Sequence, residues 1–438
     1  MLSTIADKIV SITPPRVLSN FIKAAPRRLV HWKRDASFKH IVRYTYRNSR
    51  FYREKFDSLK INPRKINKPS DLGDFYTTPI DIMERAEDFI CGKPEAVFES
   101  SGTTGRNKRI YLTQAELDHI GRFNAAGFFL WGLKPTDRLV NAFDFCIWIP
   151  GMVTQKGIEK SRIFALAAGK VDPMEVYKRI PIYNINVVLG EPTWLIKLTE
   201  IAEKEGAYPL KLIIGGAEEM PDAARPWMEK VWKGAKVKMV YASVESGGII
   251  GGEVTPECGG YHIDEDDFMV EIAEPDKDGY GEVTFTTLGR ATMPLIRYRN
   301  GDISRIMEEP CACGMPYRRL EKMRGRSDEL IVASGGNLYP LMFEEILKDI
   351  DGLTSDWQIV FKLRGIKEIM EFNIELRDGF FREATEARIL ENIKNRYPDL
   401  WKNYSIAIFE IAFACHPPST LRAGKHKLLR IIDDRYAR

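Results

Sequence analysis

The stretch Val187-Val-Leu-Gly-Glu-Pro192, followed by Leu210-Lys-Leu-Ile-Ile214 and Lys236-Val-Lys-Met-Val-Tyr241, decides the fold. Each is a short run rich in aliphatic residues. Between them lie the helical stretches Pro192 to Lys204 and Ala223 to Trp232. Apolar strands that alternate with helices are buried on both faces, so the pattern argues for parallel-type α/β architecture. Upstream, Leu139 to Phe145 reads as a further strand, and residues 1–90 read as helices with polar connections, including one over Phe38 to Phe56. Downstream, Glu282 to Thr287 and Leu295 to Arg299 read as hairpin strands that follow a Gly/Asp turn at Asp276 to Gly281, an appended β-rich part. After Arg326 the order becomes strand (Leu330 to Ala333), helix (Leu341 to Asp349), strand (Trp357 to Leu363), strand (Glu368 to Leu376), helix (Arg382 to Arg396) and strand (Ser405 to Phe413). This β-α-β-β-α-β layout predicts a second, smaller α+β domain. The expected division is a large N-terminal domain over residues 1–327 and a C-terminal domain over 328–438.

Composition narrows the function classes. With 44% apolar and 29% charged residues among 438, the chain is neither collagen-like nor disordered nor a disulfide scaffold. Its longest near-apolar run, Phe123 to Leu133, is too short to cross a bilayer, so a soluble, cytoplasmic protein is expected. The net charge of +4 is unevenly spread. Residues 1–60 hold 14 Lys or Arg against 4 Asp or Glu, a local +10. That basic arm reads either as a contact for a membrane surface or nucleic acid, or as amphipathic helices whose cations face solvent or the acidic body. The second reading is the favoured one, and no nucleic-acid partner is expected.

Six cysteines in so long a chain do not form a framework. Cys91, Cys146 and Cys415, isolated among apolar or mixed neighbours, read as buried small residues. Cys258-Gly-Gly-Tyr-His262 and Cys311-Ala-Cys313-Gly differ, placing three thiols and an imidazole in two turn-rich clusters. Zinc favours four such ligands in a tetrahedron, and a closed set of Cys258, His262, Cys311 and Cys313 would be structural rather than catalytic. The alternative is four unrelated loop residues. A third segment, Glu99-Ser-Ser-Gly-Thr-Thr-Gly-Arg-Asn-Lys108, combines hydroxyls, glycines and cations after a β-type run. Such loops cradle phosphate through inward N–H groups, hydroxyls and a Lys, although the Gly-x4-Gly-Lys spacing of a Walker loop is absent. A plain surface loop has the same composition.

Ser100-Ser-Gly-Thr-Thr-Gly105 resembles the phosphate loop of the adenylate-forming superfamily, and further stretches follow in that superfamily's order. They are Gly215-Gly-Ala-Glu218, Tyr241-Ala-Ser-Val-Glu245, Arg297-Tyr-Arg-Asn-Gly-Asp302, Gly325-Arg-Ser-Asp328 and Gly424-Lys425. Phe51-Tyr-Arg-Glu-Lys-Phe56, the Arg-Tyr-Arg form of the Asp302 motif and the Cys/His cluster are similar to the branch of phenylacetate-CoA ligases and coenzyme F-390 synthetase-like proteins. Taken singly, Glu245 is a solvated acid, Tyr241 a core residue and Asp302 a turn residue; in this order together they are more.

The resemblance implies an acid-thiol ligase of the AMP-forming kind. ATP converts a carboxylic acid, aromatic or hydrophobic, to an acyl-adenylate, and coenzyme A takes the acyl group. Rival readings pass it to an amine, a hydroxyl or a carrier-protein thiol, or make the chain a non-catalytic zinc-stapled binding module; a homodimer is compatible with any of them. The resemblance implies that Ser101, Gly102, Thr103, Thr104, Gly105 and Lys108 hold phosphates, and that Glu245 takes Mg²⁺. Gly215, Gly216, Ala217, Tyr241 and Ala242 would surround adenine, Asp302 the ribose hydroxyls, and Arg326 the nucleotide. The C-terminal domain would pivot at Asp328 and insert Lys425, or Lys427 if the register is counted back from Arg430, during adenylation. Departures stand at Ala242, Val244 and Asn107. The segment Asn141 to Thr154 does not match the acid-pocket region of phenylacetate ligases closely, so the acid's identity does not carry over.

Overall fold

A computed structural model of the chain describes residues 13–100, 107–217, 220, 224–327, 331–333, 336–338, 340–364, 367–405, 409–423 and 428–435. The chain divides into two compact units: Met1–Asn300 with Ser304–Lys322, and Gly301–Ile303 with Met323–Arg438. In the first, β1 (Ala96–Glu99) and β2 (Arg109–Leu112) form an antiparallel hairpin. The main sheet starts with β3 (Arg138–Asn141), β4 (Phe164–Ala167), β5 (Val187–Gly190), β6 (Leu212–Gly215) and β7 (Lys236–Ala242), all parallel in the order β4-β3-β5-β6-β7. Antiparallel β8 (Ile249–Gly252) and β9 (Gly260–Ile263) extend it. A separate three-stranded sheet holds β10 (Phe268–Ala273), β11 (Gly281–Thr287) and β12 (Tyr298–Ser304). Then β13 (Ile306–Met307) and β14 (Arg319–Glu321) return to the main sheet beyond β9.

The parallel strands are apolar because helices cover them. Leu139, Val187, Leu189, Leu212 and Ile214 are buried with Phe128 of helix Gln114–Leu130 and Ile158 of helix Pro150–Ser161. The β3 strand expected over Leu139 to Phe145 ends earlier, at Asn141. There the amide side chain donates to the Gly151 carbonyl (3.2 Å) and accepts from the Phe143 N–H (3.3 Å), which turns the chain out of the sheet. The helix expected over Phe38 to Phe56 is two, Arg27–Asn48 and Arg50–Ser58. Ser49 breaks it, its hydroxyl accepting from the Tyr52 N–H (3.4 Å) as an N-cap.

The hairpin across Asp276 to Gly279 joins β10 to β11, which lies between β10 and β12, so the sheet gains before the turn a strand that the sequence reading lacked. Leu295 to Arg297 is not strand: the Leu295 and Arg297 N–H groups bond the Thr287 and Thr286 hydroxyls, and Arg297 sits at φ 47°. Strand geometry begins at Tyr298. Tyr52 supports this segment from below. Packed on Phe51, Phe56, Phe75 and Phe89, its hydroxyl meets the Ile296 N–H at 2.9 Å and the Pro294 carbonyl at 3.2 Å.

Part of the basic arm's charge faces the acidic body. Lys33 reaches Asp266 (2.6 Å), Arg27 reaches Glu308 (3.1 Å), and Arg34 pairs with the fully buried Glu265. Leu18, Ile22 and Val30 complete the contact by packing with Ala126, Met315 and Tyr317. No helix among the described residues is long and apolar enough to cross a membrane.

The second unit has the expected α+β character with one difference. Its sheet runs β19-β18-β17-β20, from β17 (Leu353–Arg364), β18 (Lys367–Leu376), β19 (Phe409–His416) and the C-terminal β20 (Ile431–Asp433). The strand expected near Leu330 forms a hairpin of its own, β15 (Ile331–Ala333) with β16 (Gly336–Leu338), and β20 takes the edge beside β17, parallel to it. Helices Pro340–Leu347 and Arg382–Arg396 cover the sheet through Phe343, Ile389 and Ile393, and a short helix, Pro398–Ser405, precedes β19.

Candidate functional site

In open α/β sheets, ligands bind outside the carboxyl ends of the parallel strands. There β6 and β7 run side by side, Gly215 opposite Met239, and deliver Gly215-Gly216-Ala217 and Tyr241-Ala242 to neighbouring positions. A Cβ on Gly215 would stand 2.6 Å from the Met239 sulfur, and one on Gly216 2.6 Å from Val240. A larger residue at either position would force the neighbouring side chain to shift. Ala217 holds φ 69°, a left-handed conformation that costs a non-glycine residue energy and marks a turn held by its surroundings.

After β7 the chain turns through Ser243 to Gly247. Ser243 and Ser246 pin it reciprocally, each hydroxyl accepting from the other's N–H at 3.1 Å, and Gly247 closes it at φ +73°. This turn sets Glu245, which is only 4% exposed, facing inward. Its Oε1 accepts from the Tyr298 hydroxyl (3.1 Å) and pairs with Lys108. Lys108 stands at the foot of the hydroxyl-rich loop, where the Ser100 N–H meets the Lys108 carbonyl at 3.0 Å and the Lys108 N–H meets the Ser100 hydroxyl at 3.3 Å. The structure thus brings Lys108 and Glu245 together. Ser101, Gly102, Thr103, Thr104 and Gly105, which the loop would contribute, lie outside the described residues, as do Asp328, Lys425 and Lys427.

From Tyr298 on, the Arg-Tyr-Arg-Asn stretch divides its work by the period of two along β12. Tyr298 and Asn300 reach Glu245 and the Tyr241 hydroxyl (2.7 Å), while Arg297 and Arg299 serve other partners. Arg297 is buried against the carbonyls of Gly73 and Phe75, and Arg299 pairs with Glu282. Tyr241 is itself buried, 5.9 Å from the Tyr261 ring. In the second unit Asp302 accepts from Arg326 at 2.8 Å. Sequence reasoning missed Tyr298, Asn300 and the Ser243–Ser246 pair. Alternation in the first stretch and the Ser-x-x-Ser spacing in the second were the available signals.

Cys91 and Cys415 are only partly buried and Cys146 is exposed, against the expectation that all three are buried, whereas the Cys/His residues converge. The donor atoms of Cys258, His262, Cys311 and Cys313 lie within 4.8 Å of one another. His262 Nδ1 donates to the Tyr317 carbonyl (3.2 Å), which leaves Nε2 as a lone-pair donor 3.2 Å from the Cys313 sulfur. Burial lowers His262 to about 4, so the imidazole is neutral, as a metal ligand must be. Burial opposes a thiolate at Cys258, yet hydrogen bonds from the Thr255 hydroxyl and N–H bring its pKa below the ordinary value. The set fits a tetrahedral cation, which would tie β9 to the turn between β13 and β14. A second cluster lies nearby at Asp264 to Asp267. His119 contacts both Asp267 oxygens, at 2.8 and 3.0 Å. Burial works against charge on His119, but Asp267 overrides it and raises the imidazole to about 9.

A parallel sheet with these groups near its carboxyl edge, together with a separate small α+β unit, resembles adenylate-forming proteins, and over most of its length the chain is similar to phenylacetate-CoA ligases. Residues 335–435 match the AMP-binding enzyme C-terminal domain. The phenylacetate-coenzyme A ligase of Thermus thermophilus is 28% identical over 400 residues, covering 85% of this chain and 87% of the relative. The phenylacetate-coenzyme A ligase of Escherichia coli is 26% identical over 372 residues, 80% of this chain and 83% of its own. Among solved structures, 2-hydroxyisobutyryl-CoA ligase in a postadenylation state with 2-HIB-AMP superposes with a TM-score of 0.76 at 20% identity, covering 92% of this chain and 89% of that one.

Proposed function

We propose that the protein uses ATP to convert a carboxylic acid to an acyl-adenylate and then transfers the acyl group to coenzyme A. The observation that carries this reading is the ion pair of Lys108 with the buried Glu245, beside the strand ends that present Gly215-Gly216-Ala217 and Tyr241. A carboxylate is a poor acyl donor. Joining it to the α-phosphate supplies a good leaving group, and the protein's task is to position the partners and neutralise charge. Lys108, with the loop from Ser101 to Gly105, would hold the β- and γ-phosphates. Glu245, oriented by Tyr298, would take a Mg²⁺ ion, which neutralises phosphate charge when bound. Tyr241, Ala242 and the Gly215 turn would flank adenine, Asp302 would accept from both ribose hydroxyls, and Arg326 would position the Asp302 carboxylate it already contacts.

The C-terminal domain, pivoting at Asp328, would bring Lys425 to the reacting carboxylate for the first half-reaction and withdraw it for the second. The Cys/His set would hold Zn²⁺ structurally, since four protein donors leave no position for water. The acid would be aromatic or hydrophobic, and the enzyme would work in the cytoplasm.

Acid-dependent exchange of labelled pyrophosphate into ATP, measured over a panel of acids and followed by coenzyme A-dependent AMP release, tests the reading. Exchange without coenzyme A-dependent turnover would move the acyl group to an amine, hydroxyl or carrier thiol. No exchange with any acid would overturn the activation step.

A further inference from the structure

The cations of the N-terminal arm fall into two groups. From Thr13 to Arg34 the chain holds six Lys or Arg and no Asp or Glu. Arg27, Lys33 and Arg34 pair with Glu308, Asp266 and Glu265 of the same unit. Arg16, Lys23 and Arg28 are exposed and have no ion-pair partner among the described residues.

Apolar side chains stand among these three. Helix Pro15–Ala24 buries Leu18 and Ile22, and helix Arg27–Asn48 buries Val30, all in one cluster with Ala126, Met315 and Tyr317. The opposite face of each helix therefore points away from the body. At 3.6 residues per turn, Val17 and Phe21 fall one above the other on the outer face of the first helix, and Leu29 and Trp32 on that of the second. They are 43%, 65%, 55% and 56% exposed. A single exposed apolar residue is ordinary, but four within sixteen residues, two of them aromatic, mark an interaction surface.

Charge decides what that surface fits. A two-fold contact with a second copy would set the three cations of one patch against those of the other, with no acid between Thr13 and Arg34 to offset them. Duplex DNA would suit Arg16, Lys23 and Arg28 but press Phe21 and Leu29 against charged phosphates. An anionic lipid surface offers phosphates to the cations and hydrocarbon to the rings.

We propose that the outer faces of helices Pro15–Ala24 and Arg27–Asn48 form a reversible docking surface for an anionic lipid bilayer. Val17, Phe21, Leu29 and Trp32 enter the boundary between headgroups and acyl chains, where aromatic rings are favoured, while Arg16, Lys23 and Arg28 meet the lipid phosphates. This inference does not depend on the acid-activating reading.

The test sediments the full-length protein with vesicles of phosphatidylcholine, with and without phosphatidylserine. It should bind the phosphatidylserine vesicles, less at higher salt, and bind those of phosphatidylcholine alone much more weakly. Arg16→Gln and Arg28→Gln should each weaken binding roughly fivefold, and Phe21→Ser roughly tenfold or more. Ile182→Ser, at another exposed apolar residue on helix Pro173–Tyr183, should leave binding unchanged. Every one of these side chains is exposed, so an unchanged melting temperature separates lost docking from lost folding. No binding to either vesicle, equal binding to both, wild-type binding in Phe21→Ser, or equal losses in Phe21→Ser and Ile182→Ser overturns the proposal. So does a solution dimer that Phe21→Ser splits, which assigns the patch to a second copy, and so does duplex DNA that displaces the protein from the vesicles.

Discussion

Tyr298→Phe probes the link between the sheet and the reaction with a single atom. Tyr298 is fully buried, 5.4 Å from the Phe285 ring, and its hydroxyl contacts Glu245 Oε1 at 3.1 Å. Phenylalanine keeps the ring and its packing and removes one hydrogen bond to a carboxylate that still has Lys108 as its partner. Hydrogen bonds to charged groups contribute about 1.5–3 kcal/mol. If Glu245 must be held in place for the reaction, that converts to roughly a 10- to 150-fold fall in acid-dependent pyrophosphate exchange, at about 1.4 kcal/mol per tenfold. The Mg²⁺ concentration for half-maximal rate should rise as well, since the loosened carboxylate is the proposed metal ligand. The assay is exchange against Mg²⁺ at saturating ATP, with thermal melting as the control for folding. A variant that melts lower but exchanges at the wild-type rate, with unchanged Mg²⁺ dependence, would refute the reasoning and reduce the bond to a structural one.

Three further outcomes follow from the same structure. One zinc per chain should be found by elemental analysis, and Cys311→Ser should lose both metal and thermal stability while the folded fraction keeps its affinity for ATP. A disulfide between Cys258 and Cys311 or Cys313 would contradict this. The His119–Asp267 pair raises the folded pKa of His119 to about 9 from an unfolded value near 6.5. Its contribution, on the order of 3 kcal/mol, is therefore fully present below pH 6.5 and lost as pH rises through 9. His119→Gln should flatten the fall in melting temperature between those values, and an unchanged slope would assign the fall to other groups. Lys425→Ala should suppress adenylate formation and spare thioester formation from supplied acyl-adenylate, with Asp328→Pro doing the reverse by stiffening the pivot. Silence at Lys425 with that first phenotype in Lys427→Ala moves the role to Lys427.

The sequence made the parallel half of the main sheet legible because each of its inner strands is buried on both faces, which leaves unbroken aliphatic runs such as Val187 to Leu189. Other elements left weaker traces. Ile431 to Asp433 is too short to signal a strand, and it becomes one only because β17 offers an edge beside it. One of the two neighbours of β11, β10, was overlooked because Phe268 to Ala273 follows an acidic run that does not look like the entrance to a strand. In the first unit, the order of the motifs singled out Lys108, Glu245 and Tyr241. It did not reveal that Tyr298 and Asn300 reach Glu245 and Tyr241, which depends on how distant strands pack. The basic arm was ambiguous for a similar reason. Only the fold shows that Lys33 and Arg34 meet Asp266 and Glu265.

The central claim is that one chain makes an acyl-adenylate and consumes it with coenzyme A. A single-turnover reaction with ATP, Mg²⁺ and an acid that supports exchange, quenched and read by mass spectrometry, tests it most directly. The account predicts an acyl-AMP species that accumulates to no more than one per enzyme without coenzyme A and converts to acyl-CoA and AMP when coenzyme A is added. ADP as the nucleotide product, or acyl-CoA forming while supplied acyl-AMP cannot be used by the enzyme, would contradict it.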